Sequence, residues 1–154
     1  LTRPDLLRAA GVENAKLFII AIDGKEKITT LAKYLIKHYP DLHVVARAVD
    51  RNHVYDLWQA GCRDIVRDTY DSSLRMGRSA AEALGYSRDQ AERMVEVFSE
   101  LDRKSMLMAA AHHDPTIPAH KNEVFLAKFH ENRGEWEAEM VERMQAIKNE
   151  AKPE

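Results

Sequence analysis

The chain has 154 residues, of which 45% are apolar and 31% charged, with a formal net charge of -2 at pH 7. That balance belongs to a soluble globular class of one domain, or of one small domain plus an appendage, and predicts no strong attraction to nucleic acid or anionic membrane. A single Cys62 excludes an internal disulfide framework, and no run approaches the roughly 20 apolar residues a membrane helix needs.

The first residue is Leu1 rather than Met, no signal peptide is evident, and the chain is expected to be a fragment or processed piece. Thr2 can cap a short first helix, with Pro4 in its first turn, Leu6, Leu7 and Ala10 on its apolar side and Gly11 at its end. Two apolar runs follow, Lys16–Asp23 and His43–Asp50, rich in Ile and Val and without polar alternation. Such runs read as strands buried on both faces. Between them, Ile28, Leu31, Ala32, Leu35 and Ile36 recur at helical spacing over Gly24–Tyr39. Strand, helix, strand within about 35 residues is a βαβ unit with a parallel pair and a right-handed crossover. A helix over Arg51–Ala60 carries Val54, Leu57 and Trp58, with Gly61 at its end, and Asp64–Arg67 forms a third short strand.

This is half of a Rossmann-like α/β sheet, three parallel strands with their helices, and it contains no GxGxxG and no GxxxxGK[ST]. Three parallel strands with two open edges fold poorly alone, so either a preceding half or pairing with another chain is expected.

From Tyr70 the chain turns helical. Tyr70–Leu84 should place Leu74, Ala80, Ala81 and Leu84 inward, closed by Gly85. Ser87 and Gln90 read as a capping box for a long helix running to about Ala111. Met94, Phe98, Leu101 and Met108 form a near-heptad stripe on it, to be read as core or dimer interface. Asp114–Pro118 breaks the helix. A last charged helix over Asn122–Glu150 aligns Phe125, Phe129, Trp136, Met140, Met144 and Ile147 on one face, which needs a partner surface. The expected division is a sheet-bearing core over 1–69, crossover helices over 70–113 and an amphipathic tail over 114–154.

Several residues carry possible chemistry. Asp23 and Asp50 end their strands, where ligands gather in open α/β sheets, and where Asp also commonly caps the next helix. Arg47 lies within an apolar strand. It meets a phosphate or carboxylate ligand or an acid such as Asp68, or else snorkels to water near the strand end. His112, His113, Asp114 and His120 are permitted zinc ligands, but their spacing matches no strong motif and a solvated helix end is the plainer reading. Cys62, with no evident His partner, reads as a small buried residue.

The ordered series Thr2–Gly11, Ile20–Asp23, Ala46–Ala48 and Gln59–Gly61 resembles the second half of a potassium-conductance regulatory domain (RCK, also KTN or TrkA-N). The continuation Asp68–Arg78, with Ala83–Gly85, is similar to the C-terminal domain of glutathione-gated Kef-type potassium efflux systems, over roughly Leu1–His112. The resemblance implies a dimeric, cytosolic, ligand-gated regulator of a potassium/proton antiporter that performs no catalysis. Members bind a nucleotide (AMP or NAD(H)) in the Rossmann-like core, which would bring Asp23 and Asp50 near it. They bind glutathione or its conjugates near the dimer interface, and an ancillary quinone-oxidoreductase-like subunit. The family's phosphate-binding loop lies in strands outside this sequence. By the same resemblance Arg78, Arg47 and His113 are the glutathione-type ligand residues, although a family Asn falls at or beside His113. Without the resemblance, Arg78 is a surface residue pairing with Glu82 one turn on. Two competing readings are an oxidoreductase-related half-domain and a purely structural dimerisation module. NAD(P)H turnover separates the first of these from a regulator, and titration with a thiol ligand separates the second.

Overall fold

The structure is a computed structural model, described for residues 3–114, 116–117 and 121–150. The expected roles of Thr2, Pro118 and His120 lie outside those residues. Two compact units are present. One holds the chain up to Asp68 together with His113–Ile117, and the other holds Thr69–His112 together with the chain after Ile117.

The first unit begins with α1 (Pro4–Ala9) and a 3-10 turn over Val12–Asn14. It continues β1 (Leu17–Ile20), α2 (Lys25–His38), β2 (His43–Ala48), α3 (Arg51–Gln59) and β3 (Asp64–Arg67). The strands are parallel, in the order β1-β2-β3, with Ile20 opposite Ala46 and Ala46 opposite Ile65. This is the expected half of a doubly wound sheet. Ile20, Val44, Ala46 and Ala48 are buried against α2 and α3, which contribute Ile28, Ala32, Leu35, Val54, Tyr55 and Leu57 to the core. Two right-handed crossovers in the same direction put both helices on that one face.

The other face is open, so the expectation of strands buried on both sides fails. Ile19 is 61% exposed, and Leu17, Ile22 and Val66 are also exposed. The burial of β2 alternates along its length, as a strand covered on one side must. Nonpolar sequence alone did not reveal this, because aliphatic residues occupy both faces. Gly61 has φ +93°, and a Cβ there would approach the Ile36 side chain at 3.3 Å, so the turn into β3 requires glycine.

The second unit consists of α4 (Tyr70–Ala83), α5 (Arg88–Ala111) and α6 (Glu123–Lys148). Met94, Val97 and Leu101 of α5 meet Ile147 of α6, with Trp136, Met140 and Met144 half-buried beside them. The amphipathic face expected of the last helix thus finds its partner in α5. The heptad reading of α5 needs correction. Met94, Val97 and Leu101 line the seam at spacings of three and four, whereas Phe98 and Met108 are exposed. On α4, Leu84 is 79% exposed and Ala80 is also exposed, against the inward placement expected of both.

The capping box is present. Ser87 Oγ accepts from Gln90 N at 3.1 Å, and Gln90 Oε1 accepts from Ser87 N at 3.0 Å. The Gln90 amide also donates to Ile147 O at 2.9 Å, so the cap joins the start of α5 to the end of α6. Ser87→Ala is expected to lower stability by about 1 kcal/mol, read as a shift in the urea midpoint at constant slope.

Candidate ligand-binding sites

The carboxyl ends of β1 and β2 gather four charged side chains. Arg47 is carried on the open face of β2, and the next turn of chain after β1 brings Asp23 to it. Arg47 Nη2 donates to Asp23 Oδ1 at 2.6 Å and to Ile22 O at 3.2 Å. The Asp23 side chain is 98% exposed. Gly24, at φ +93°, occupies the N-cap position of α2 with no side-chain cap bond, so Asp23 is not the cap. Asp50 is one: its Oδ1 accepts from His53 N at 2.9 Å at the start of α3. Its second oxygen is ion-paired with Lys25 at the start of α2. Partial burial alone would raise the Asp50 pKa. The hydrogen bonds from Lys25 and the His53 N–H outweigh that and hold it below the ordinary aspartate value.

Beside these strand ends lies an open cavity of about 460 Å³ between α1 and α2, with Leu6, Leu7, Ile22 and Leu31 on its walls and Arg3 and Lys27 among its polar residues. Its polar lining is mixed in charge, with Glu26 beside Arg3 and Lys27, and its apolar walls suit an apolar body.

Behind the Asp50 cap stands His53, which sequence reasoning did not single out. It is fully buried, and its ring bonds to Thr29 of α2 and to the Val49 amide. The signal was present: position 53 shares the inward face with Val54 and Leu57, and a histidine there must find partners.

In the second unit, Arg78 of α4 faces α5. Arg78 Nη1 donates to Glu92 Oε1 at 3.1 Å, and its Nε lies 3.7 Å from Glu82 Oε1, too far for a hydrogen bond. Arg88 shares Glu92 at 3.5 Å. An open cleft of about 420 Å³ is lined by Leu74, Arg75, Arg78, Glu92, Val95 and Glu96. Arg78 is thus held between two acids, with a buried N–H left unfilled, in a cleft of mixed charge.

His113 belongs to the first unit, and its Nε2 is 2.9 Å from Asp56 Oδ1. A carboxylate only accepts, so Nε2 carries the proton. The ring also lies 5.5 Å from that of Tyr55. Arg47, Asp23 and Asp50 therefore gather at one end of the sheet, whereas Arg78 belongs to the other compact unit. Asp68, the acid considered for Arg47, is not its partner in these contacts; Asp23 is. Among the described residues, no three His, Cys, Asp or Glu side chains gather to hold a metal ion. Cys62 is buried, donates to Asp64 O at 3.4 Å, and burial pushes its thiol pKa up, which suits an inert residue. Among the described residues, no helix is long and apolar enough to cross a membrane.

Known proteins match both units. Residues 1–68 match the TrkA-N domain, and residues 72–153 match the potassium efflux system KefB C-terminal domain. Among solved structures, the C-terminal domain of Kef from Shewanella denitrificans, in its AMP-bound form, is 42% identical. The match covers 71% of this chain and 69% of that one, with a TM-score of 0.69. Parallel strands in that order, the helices that follow them and an identity of this size carry one conclusion: the chain belongs to the Kef C-terminal domain family, the RCK-type regulatory domains of potassium efflux systems.

Proposed function

We propose that this chain is a ligand-sensing module of a potassium/proton antiporter, with a nucleotide site in its first unit and a glutathione-type site in its second. The observation that carries the reading is the cluster at the carboxyl ends of β1 and β2, in a chain 42% identical to an AMP-bound Kef domain. In an open α/β sheet that end is where ligands collect. The apolar cavity between α1 and α2 would take the base. Lys25 and Arg47, each paired with an aspartate, are the nearby cations for ribose and phosphate contacts.

Arg78 would hold a carboxylate of glutathione or of a glutathione conjugate. A planar guanidinium presents paired donors that match a carboxylate, and Glu82 and Glu92 already orient it. The family resemblance also assigns Arg47 and His113 to the glutathione-type ligand; both belong to the first unit, where Arg47 meets Asp23 and Asp56 fixes the His113 ring, so the site in the second unit rests on Arg78. Regulation follows if two ligands favour two conformations differently. The module acts as a homodimer on the cytoplasmic side of the transporter to which it is joined, with an ancillary quinone-oxidoreductase-like subunit as a further partner, and without catalysis of its own.

Isothermal titration of this chain with AMP, reduced glutathione and a bulky glutathione conjugate, with the solution mass recorded alongside, tests the reading. Saturable binding of AMP and of one thiol ligand by a dimer is expected. A folded protein that binds neither would contradict it.

A further inference from the structure

We propose that His53 is a positioning residue of the strand-end site, a neutral brace between α2, α3 and the end of β2 that releases when its ring is protonated. The brace is read from geometry alone; only its consequence for AMP rests on the nucleotide reading above.

The hydrogen bonds fix the state of the ring. Val49 N lies 3.2 Å from His53 Nδ1. A backbone N–H can only donate, so Nδ1 accepts and bears no proton. Nε2 then carries the hydrogen and donates to Thr29 Oγ1 on α2, at 3.1 Å. The same residue's backbone N–H is the one that Asp50 caps. One fully buried ring therefore links Val49, the first turn of α3 and α2.

Imidazolium has two donors and no acceptor. Protonation would set an N–H at Nδ1 against the Val49 N–H, and the bond must break. The charged groups around the ring do not cancel this conflict. The Lys25 ammonium on α2 opposes a positive charge there, while a hydrogen bond to the Lys25 backbone favours it. Asp50 and Asp56 on α3 favour it, but Asp50 already holds Lys25 and Asp56 already holds His113. Burial has the largest influence and keeps the His53 pKa below its ordinary 6.5.

The direction of the pH effect follows. Above pH 6.5 the ring is neutral whether the brace is closed or open, and pH has no effect through it. As pH falls below 6.5, the open form binds the proton first, so the closed form loses stability until the lowered pKa is reached. The opening equilibrium then rises by at most about tenfold per pH unit and levels off below the lowered pKa. Opening separates Lys25 on α2 from Asp50 on α3, and the strand-end site loses its shape. AMP affinity should fall over the same range.

Two readouts on this chain test the inference. Amide hydrogen exchange at Val49 and His53, corrected for intrinsic rates, should show opening that increases between pH 7 and pH 5. Nitrogen NMR should show the His53 ring in the Nε2–H tautomer at neutral pH. These need no variant. In His53→Gln, a neutral side chain that can still accept and donate, opening should be independent of pH over that range. AMP affinity should decline on acidification in the natural chain more steeply than in His53→Gln, a comparison that removes the titration of AMP's own phosphate. Exchange at Val49 that is flat from pH 7 to pH 5, or a ring protonated at Nδ1 with Val49 still protected, would overturn the brace. Absence of AMP binding at pH 7.5 would overturn the nucleotide reading instead, while exchange and NMR still decide the brace.

Discussion

Arg78→Ala is expected to weaken binding of reduced glutathione by about 10- to 150-fold while leaving the folded structure intact. The first half of that expectation follows from charge-assisted hydrogen bonds. A guanidinium–carboxylate contact of this kind is worth about 1.5–3 kcal/mol, and each 1.4 kcal/mol is about tenfold in affinity. The second half follows from the environment. Arg78 is about one-third exposed, and its partners Glu82 and Glu92 are more exposed still. Half-exposed pairs of this type contribute little to stability, and the substitution leaves the apolar seam of α5 and α6 untouched. Glu92→Gln sharpens the test. Glu92 competes with an incoming carboxylate for the guanidinium, so removing its charge should tighten glutathione binding severalfold. If Arg78 serves only as a surface ion-pair partner, both variants should titrate like the natural chain in calorimetry.

Leu101→Ala should destabilise the helical unit by about 3 kcal/mol, within the 2–5 kcal/mol range for truncating a buried leucine. Leu101 is 1% exposed and packs with Met94, Val97 and Ile147 in the seam. For a unit of this size the transition should fall by about 12–24 °C. Leu84→Ala is the matched control. Leu84 is mostly exposed, and its truncation should change stability by no more than about 0.5 kcal/mol. Calorimetric scans of the two variants compare them directly. Equal losses would contradict the seam.

The contrast between those leucines shows what was legible in the sequence. Period and punctuation placed the elements: Pro4, Gly61, Gly85 and the Ser87–Gln90 box mark ends, and the apolar runs mark strands. Which side of an element faces inward was less legible. Ile19 and Ile20 are identical in type, yet one faces solvent and the other the core, because only tertiary structure shows which sheet face the helices cover. On α5, both Val97 and Phe98 fit an apolar stripe, and the position of α6 decides between them. Position also decided the two aspartates. Asp23 and Asp50 each end a strand, but Gly24 takes the cap position at the first, freeing Asp23 to meet Arg47, while Asp50 caps the second. Ion pairs between distant residues, such as Arg47–Asp23 and Arg78–Glu92, leave no local pattern in a single sequence. The same holds for His53, whose partner Thr29 is 24 residues away.

The most direct test of two separate ligand sites is a pair of amide-shift titrations on the isotope-labelled chain. AMP should shift the resonances of Ile22–Lys25, Arg47 and Asp50–His53, and leave Leu74–Glu96 in place. Reduced glutathione should shift Leu74, Arg75, Arg78, Glu92 and Val95. Saturating shifts in those two sets would support a sensing module that reads two ligands at different places. Shifts from both ligands confined to one set, or no saturating shift from either, would contradict it.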